Sequence, residues 1–249
     1  KGFDFYCAPD VSLEADLKRR DITINAMTQR PNGEIIDPYG GQNDIEQRLF
    51  RHVSSAFSED PVRILRCARF ACRFNDFTIA TDTVSLMQSM VDNNEVQALV
   101  AERVWKELSR ALGYAQPARF FEVLHQAHAL AVLFPELSLV NPGFATLETA
   151  AKGGEKPEIR WACLTHALNS TDLNTLSKRL KTPKHYKDLA LLITSHLPTL
   201  QKMDTQSPDE LLLFLKQLDA IRRPHRLSEF LIIAEYCVKE SIELRKIQC

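Results

Sequence analysis

The sequence lacks the patterns that mark several common classes of protein. Its six cysteines include no Cys-x-x-Cys pair, and no cluster of histidine and cysteine has the spacing of a zinc site. No apolar run is long enough to cross a membrane. The formal net charge of −1 excludes a polycation, so any contact with nucleic acid must come from local basic patches. We therefore expect a cytoplasmic globular protein with reduced thiols and no membrane attachment.

Residues that can carry chemistry concentrate between positions 16 and 73. Near the start of this stretch Arg19, Arg20 and Asp21 are adjacent, and Asn25 follows four residues later. An Arg–Asp pair beside an asparagine can hold a triphosphate and the edge of a ribose. The same residues can also be an ordinary start of a helix or strand, in which Asp21 caps the backbone and the arginines are solvated. Taken alone, this group favours the second, structural interpretation.

The next segment predicts a small amount of β structure. The Asn-Gly pair at 32–33 favours a hairpin, because positive φ angles cost little at both positions. The hairpin should end at the Asp-Pro pair at 37–38, where a Pro/Gly turn sets the angle towards the following helix. We expect that helix at 43–49 and a last short strand in the sequence LFRHV, after which strand patterns stop.

A helix with an arginine stripe is predicted at 59–74. Ser58 is the expected N-cap, and Glu59 and Asp60 complement the helix dipole. At 100° per residue, four arginines fall within an arc of roughly 120°, opposite an apolar face; they are Arg63, Arg66, Arg69 and Arg73. The planar fork of arginine suits phosphate oxygens. A solvated helix face with an Asp60–Arg63 pair explains the pattern equally well.

Helical patterns continue to the end of the chain. The predicted helices are at 81–91, 101–112, 117–132, 157–168, 171–180, 184–201, 207–221 and 224–246. Six prolines, Pro198 among them, are interpreted as breaks between helices. Residues 140–156 have the weakest pattern and are the best candidate for a linker. The predicted fold is therefore mainly α, with a remnant of α/β structure before a boundary near residue 57.

Four pieces of sequence resemble the motifs of a known family. LKRRDITINA, DPYGGQNDIEQRLFRHV and EDPVRILRCARF resemble, in order and spacing, motifs of the bacterial class II tRNA nucleotidyltransferases, the CCA-adding enzymes, and of the related poly(A) polymerases. ERVWKELSRAL resembles the motif that follows. The resemblance is close over residues 1–135 and fades after about 140. It implies the C-terminal part of a nucleotidyltransferase head at 1–57, a helical nucleotide-selecting neck at 58–139, and a helical body or tail contacting tRNA at 140–249.

The resemblance also implies roles for residues of the head and of the neck. Arg20 would contact the triphosphate, with Asp21 and Asn25 near the ribose and the incoming nucleotide. Asp60 and Arg63 would form a protein template that presents hydrogen-bonding groups to the Watson–Crick edge of CTP or ATP.

Further residues would act around that template. Arg66 and Arg69 would assist with the nucleotide and its phosphates. Glu59, Glu102 and Arg103 would support the template helix. In the implied reaction a tRNA 3′-hydroxyl attacks an α-phosphate and pyrophosphate leaves, with Mg²⁺ ions assisting.

One departure from the family concerns the catalytic carboxylates. The family carries them in a Gly-Ser followed by Asp-x-Asp, and this sequence contains neither pattern. Glu14 and Asp16 are the nearest spaced pair and are more typical of a polar turn. The chain begins with Lys1 and not with Met, so we expect the carboxylates and their Mg²⁺ to belong to an upstream segment. The chain alone is then expected to be inactive.

A second departure concerns the phosphohydrolase domain of the HD type that many relatives carry. Its metal site needs adjacent histidine and aspartate, but His166 is followed by Ala167, and no His-Asp dipeptide occurs elsewhere. We therefore interpret 157–249 as a helical body. Basic residues cluster in that region and are equally typical of tRNA contacts and of ordinary surface charge; they are Lys178, Arg179, Lys181, Lys184, Lys187, Arg222, Arg223, His225 and Arg226.

Two alternatives to CCA addition remain open at this point. A poly(A) polymerase would use ATP alone on RNA 3′ ends, and the Asp60/Arg63 pair is compatible with either activity. A helical RNA-binding protein without catalysis is the alternative from a different class. The sequence gives no prediction of the oligomeric state.

Overall fold

The structure, a computed structural model, describes residues 12–201 and 207–247. The described chain is mainly helical with a few short strands, which confirms the predicted mainly-α class. Cys67, Cys72, Cys163 and Cys237 are buried free thiols, whereas Cys7 and Cys249 lie outside the described residues. Among the described helices, none combines the length and the apolar character needed to span a bilayer.

The first elements form a small cap of mixed structure. Helix α1 (Leu13–Lys18) is capped by the Ser12 hydroxyl and is followed by a 3-10 turn at Thr23–Asn25. Strands β1 (Thr28–Gln29) and β2 (Ile35–Ile36) pair antiparallel, which confirms the predicted hairpin. Only Gly33 of the Asn-Gly pair has a positive φ, of 89°. The Asn32 side chain instead accepts a hydrogen bond from the Glu34 amide at 3.0 Å.

The Pro/Gly turn starts the next helix earlier than predicted. Helix α2 spans Gly41–Glu46, and Gly40 precedes it with a φ of 74°. The Asp37 carboxylate accepts hydrogen bonds from the amides of Gly41, at 2.7 Å, and Gln42, at 2.8 Å. These amides have no partner within the first turn of the helix, so Asp37 caps it.

The prediction that strands stop near residue 57 is wrong. Strand β3 (Leu49–Phe50) pairs in parallel with β4 (Thr78–Ile79), which lies beyond helix α3 (Val62–Arg73). Parallel strands need a crossover between them, and α3 is that crossover. A two-residue strand is too short to show the alternation by which strands are recognised in sequence.

Helix α3 also begins later than predicted. Residues Ser55–Glu59 form a 3-10 turn that the Ser54 hydroxyl caps. The Ser58 hydroxyl donates to the Ser55 carbonyl and does not cap α3. Asp60 accepts a hydrogen bond from the Val62 amide at 3.1 Å, so the start of α3 is fixed by Asp60.

The remaining elements are helical. They are α4 (Thr81–Asp92), a 3-10 turn (Glu95–Ala98), α5 (Ala101–Ala111), α6 (Ala118–Gln126), α7 (Leu130–Leu133), α8 (Gly143–Lys152), α9 (Pro157–Thr165), α10 (Ser170–Arg179), α11 (Lys184–Leu200), α12 (Pro208–Gln217) and α13 (Pro224–Ile247). The helix predicted at 117–132 is divided by His128, which has a φ of 61°. Pro198 was predicted to separate helices, but it lies inside α11.

The candidate linker at 140–156 contains α8 and is not a loose connection. At the start of α8, a Cβ atom on Gly143 would lie 1.9 Å from the Leu164 carbonyl oxygen, so only glycine permits this approach to α9. The buried side chains form one continuous hydrophobic core. Within it the indole rings of Trp105 and Trp161 meet edge to face at 5.3 Å, which joins α5 to α9.

Candidate functional site

A cleft of about 720 Å³ opens where α1, α3 and α5 meet. Helix α1 and the turn after it form one wall, α3 forms the floor, and α5 forms the other wall. The lining residues are Asp16, Arg19, Arg20, Asp21, Asn25, Asp60, Val62, Arg63, Arg66, Phe70, Arg103, Lys106 and Glu107. Seven of the predicted site residues are thus brought together here: Arg20, Asp21, Asn25, Asp60, Arg63, Arg66 and Arg103.

The lining of the cleft is charged and carries an excess of positive charge. It contains five arginines and one lysine against three aspartates and one glutamate, which is six cations against four carboxylates. A concave surface with this excess attracts anions and raises their local concentration. Phosphate groups are the anions that arginine side chains bind best, through paired hydrogen bonds.

On the first wall, Asp16 organises the two adjacent arginines. Its carboxylate accepts from Arg19 Nη2 at 2.6 Å and from Arg20 Nη2 at 3.0 Å. Hydrogen bonds from Arg19 and then from Arg20 lower the pKa of Asp16 below its ordinary value. Arg20 also donates to the Asn25 carbonyl at 3.4 Å. The arginine pair is therefore held at the mouth of the cleft in a defined direction.

Asp21 connects this wall to the floor. Its side chain is buried, and Oδ2 accepts a hydrogen bond from Arg66 Nε at 2.7 Å. Oδ1 accepts from Asn25 Nδ2 at 3.2 Å and from the Ile22 amide at 3.0 Å. The Asp21 carboxylate is thus occupied by protein donors, and it orients Arg66 and Asn25 towards the cleft.

Asp60 and Arg63 lie at the start of α3. Burial by itself raises the pKa of Asp60, but the hydrogen bond from Arg103 and the Val62 amide bring it below the ordinary value. The Arg103–Asp60 contact is 2.7 Å long. Arg63 donates to the carbonyls of Ala56 and Arg19, both at 2.6 Å. The cleft therefore presents a hydrogen-bond acceptor, Asp60, beside a hydrogen-bond donor, Arg63, and protein contacts hold both in place.

Arg69 occupies a different position from the one predicted. It does not line the cleft: Nε lies 2.5 Å from Glu107 Oε2, and the guanidinium stacks 4.4 Å from the centre of the Phe70 ring. Arg69 is only 7% exposed. At the end of the stripe Arg73 is exposed and stacks on Phe74. The stripe divides because α5 covers the part of α3 that carries Arg69.

Two predicted supporting residues also lie elsewhere. Glu102 is exposed and pairs with Lys181 at 2.6 Å, so this pair connects it to the loop after α10 and not to α3, the helix that it was predicted to support. Glu59 is exposed at the end of its 3-10 turn. The prediction gave no role to Lys106 or to Glu107, which belongs to the ERVWKELSRAL motif. Both follow Arg103, at spacings of three and four residues, which puts the three side chains on one face of α5.

The described residues do not fit a divalent metal. Among them, no three side chains of histidine, cysteine, aspartate or glutamate converge as ligands. Each carboxylate of the cleft already faces an arginine. His166, the residue considered for a phosphohydrolase site, donates from Nδ1 to the Cys163 carbonyl at 2.7 Å. This hydrogen bond connects its ring to the backbone of α9.

Comparisons with known proteins match this arrangement. The model of the poly(A) polymerase head domain matches residues 6–51, and that of the "Probable RNA and SrmB- binding site of polymerase A" matches residues 76–140. The CCA-adding enzyme of Coxiella burnetii (strain RSA 493 / Nine Mile phase I) is 49% identical over 238 residues, covering 94% of this chain and 62% of the relative. The multifunctional CCA protein of Aromatoleum aromaticum is 42% identical over 260 residues, covering 90% of this chain and 64% of the relative.

Solved structures share the fold. A tRNA-processing enzyme with CTP has a TM-score of 0.72 and 24% identity, with 94% of this chain and 68% of that chain covered. A CCA-adding enzyme in complex with CTP has a TM-score of 0.62 and 25% identity, with 77% and 49% covered.

The short mixed cap, the crossover helix and the basic cleft lie within and between the two ranges that the family models match. The chain is similar over most of its length to bacterial CCA-adding enzymes, and two parts of it match the poly(A) polymerase family models. It spans about 62% of the length of the Coxiella relative that it matches.

Proposed function

We propose that this chain is the nucleotide-selecting part of an enzyme that adds CCA to tRNA 3′ ends from CTP and ATP. The observation that carries the proposal is the pairing of a fixed acceptor, Asp60, with a fixed donor, Arg63, in a cleft of positive charge. The names of the relatives, CCA-adding enzyme and multifunctional CCA protein, support the choice of reaction.

In this proposal the residues on each side of the cleft have separate roles. Arg20 and Arg66 bind phosphate, and Asp21 and Asn25 keep them in position and approach the ribose. Asp60 and Arg63 read the base edge, since a carboxylate only accepts and a guanidinium only donates hydrogen bonds. Arg103 holds Asp60 in its ionised form.

Arg69 has a supporting part in this proposal. It neutralises Glu107, which lines the cleft on α5, so that Glu107 does not repel phosphate. We propose the same three regions as the sequence suggested: head at 1–57, neck at 58–139 and body at 140–249. The two basic clusters of the body, at 178–187 and 222–226, contact tRNA.

In the proposed reaction the tRNA 3′-hydroxyl attacks the α-phosphate of CTP or ATP. A new phosphodiester bond forms, the bond to the β-phosphate breaks, and pyrophosphate leaves. No three carboxylate, histidine or cysteine side chains converge as metal ligands among the described residues, so the proposed role of these residues is to position the nucleotide. The proposed compartment is the cytoplasm, in keeping with a tRNA substrate and the free thiols.

A binding measurement tests the selection step on the 249-residue chain itself. We expect equilibrium dialysis to show that CTP and ATP bind more tightly than UTP and GTP. Asp60→Asn replaces an acceptor-only group with one that also donates, so the preference should fall by about 10-fold or more. Glu102→Gln, which removes an exposed carboxylate outside the cleft, is the matched control. Equal binding of all four nucleotides by the parent chain would contradict the proposal.

An extension assay tests the reaction and separates it from its alternatives. The chain is joined to the Gly-Ser and Asp-x-Asp segment of a relative and incubated with Mg²⁺ and a tRNA that ends before CCA. Two additions from CTP and a third only with ATP support the proposal. Long tails from ATP alone favour a poly(A) polymerase, an alternative that the matched family models also name. Extension by the 249-residue chain without that segment would contradict our assignment of the catalytic carboxylates.

A further inference from the structure

Lys106 differs from the other cations of the cleft because its ammonium group has no partner among the described residues. Every lining arginine already donates within the protein: Arg19 and Arg20 to Asp16, Arg66 to Asp21, Arg103 to Asp60, and Arg63 to two backbone carbonyls. Within the described part of the chain, no carboxylate or carbonyl receives a hydrogen bond from the Lys106 side chain.

The usual helical partner of Lys106 is engaged elsewhere. A glutamate four residues before a lysine commonly pairs with it on a helix surface, and Glu102 occupies that position. Glu102 Oε1 instead lies 2.6 Å from Lys181 Nζ, in the loop after α10. The neighbouring Glu107 turns to Arg69 on the other side. Both carboxylates that could neutralise Lys106 are therefore held by other cations.

The contacts of α5 with α3 fix the position of Lys106 along the cleft. Arg103 meets Asp60 just before α3 begins, and Glu107 meets Arg69 towards the end of α3. Lys106 lies between these two contacts and lines the cleft on the wall opposite α1. An anion in the cleft can approach the Lys106 ammonium without separating an existing ion pair, unlike any of the lining arginines bound to a carboxylate.

We propose that Lys106 is a positioning residue that binds a phosphate group of the substrates. This inference rests on the proposed function. The phosphate belongs either to the triphosphate of the incoming nucleotide or to the phosphodiester backbone near the RNA 3′ end. A lysine ammonium is a compact point charge that can follow a phosphate as it moves, whereas the arginines of the cleft are fixed by their partners.

The test uses three variants of the 249-residue chain. Lys106→Ala removes the charge, and Lys106→Arg keeps it. Lys216→Ala on α12 is the matched control, because Lys216 is also an exposed lysine but lies outside the cleft. The probes are CTP, inorganic tripolyphosphate, and an RNA hairpin with a single-stranded 3′ end that stops before CCA. Affinity for each probe is measured at several salt concentrations.

We expect Lys106→Ala to weaken binding of at least one probe by about 10- to 100-fold, the usual range for one charge-assisted hydrogen bond. Lys106→Arg should bind within about threefold of the parent, and Lys216→Ala should match the parent. If RNA is the probe affected, the slope of log K against log salt should fall by about 0.7, which corresponds to one phosphate contact fewer. A purely structural role would change thermal stability but not this slope.

The three probes distinguish between the two possible sources of the phosphate. Loss of tripolyphosphate and CTP binding identifies the triphosphate, and loss confined to the hairpin identifies the RNA backbone. Unchanged binding of all probes by Lys106→Ala, or an equal loss in Lys106→Arg, would overturn the inference and leave the proposed function standing. If the parent chain binds neither nucleotide nor RNA, the proposed function fails and the inference with it.

Discussion

Arg69 behind the cleft and Arg160 in the helical body are both 7% exposed, but the protein satisfies their guanidinium groups differently. Arg69 pairs with the carboxylate of Glu107. Arg160 donates to the backbone carbonyls of Leu112 at 2.8 Å, Tyr114 at 2.6 Å and Ala151 at 3.4 Å. Burial lowers the pKa of Arg160, against the attraction of nearby glutamates.

The difference shows what each buried arginine does. In the first case the charges of Arg69 and Glu107 cancel, so this buried pair is neutral overall. The cations that line the cleft therefore keep their positive potential. In the second case the guanidinium supplies donors to two carbonyls just after α5, those of Leu112 and Tyr114, and to the Ala151 carbonyl in the last turn of α8. One arginine is half of a charge pair, and the other is a hydrogen-bonded connection among three helices.

The largest effect should come from breaking that connection. Arg160→Met leaves the carbonyls of Leu112 and Tyr114 buried without these donors, so we expect the free energy of unfolding to fall by about 3 kcal/mol. Urea unfolding followed by the fluorescence of the buried Trp161 measures this loss. Arg73→Met, at an exposed arginine of α3, is the control and should change stability by less than about 0.5 kcal/mol. A stable Arg160→Met protein would show that the three hydrogen bonds are dispensable.

A smaller loss of stability is expected at the pair of Arg69 and Glu107, and a second substitution should restore most of it. Arg69→Met leaves Glu107 buried without its main partner and should cost about 2 kcal/mol, because Arg110, at 3.9 Å, compensates in part. Adding Glu107→Leu removes the uncompensated charge and should restore most of the stability. The same urea experiment measures the single and double variants. If the double variant is less stable than Arg69→Met, the pair is more than a cancelled charge.

The smallest effect is expected at the half-exposed pair of Arg103 and Asp60. Arg103→Gln removes the main hydrogen bond that lowers the pKa of Asp60, so that pKa should rise towards or above its ordinary value of 3.8. In the parent chain the pair stabilises the fold above that value, and the contribution is lost as the pH falls through the folded-state pKa. Between pH 6 and pH 3, the free energy of unfolding should therefore fall less for the variant than for the parent chain. A carboxyl titration by NMR measures the pKa directly, and an unchanged value would show that the Val62 amide alone is sufficient.

Local patterns in the sequence were enough to predict part of this structure. The hairpin at β1 and β2 and the extents of α4 and α5 follow from turn residues and helical periodicity, which act over a few positions. Gly143 could not be interpreted in this way, because its importance depends on the approach of α8 to α9. The linker prediction failed for that reason.

The same limit applies to the site. The helical wheel separates Arg66 from Arg69 by only about 60°, yet one lines the cleft and the other is buried. Which of them is covered depends on where α5 packs, and no pattern within α3 contains that information. On α5, by contrast, the shared face of Arg103, Lys106 and Glu107 was available from spacing alone.

The pairing of β3 with β4 restricts how segments of this protein can be exchanged with those of a relative. A chimera joined near residue 57 would take Leu49 and Phe50 from one parent and their partners Thr78 and Ile79 from the other. It would also separate Phe50 from the rings of Phe70, Phe74 and Phe77 that it contacts in this chain. A crossover point after Ile79 keeps the strand pair and its helix from one parent, so recombination there should yield folded hybrids more often.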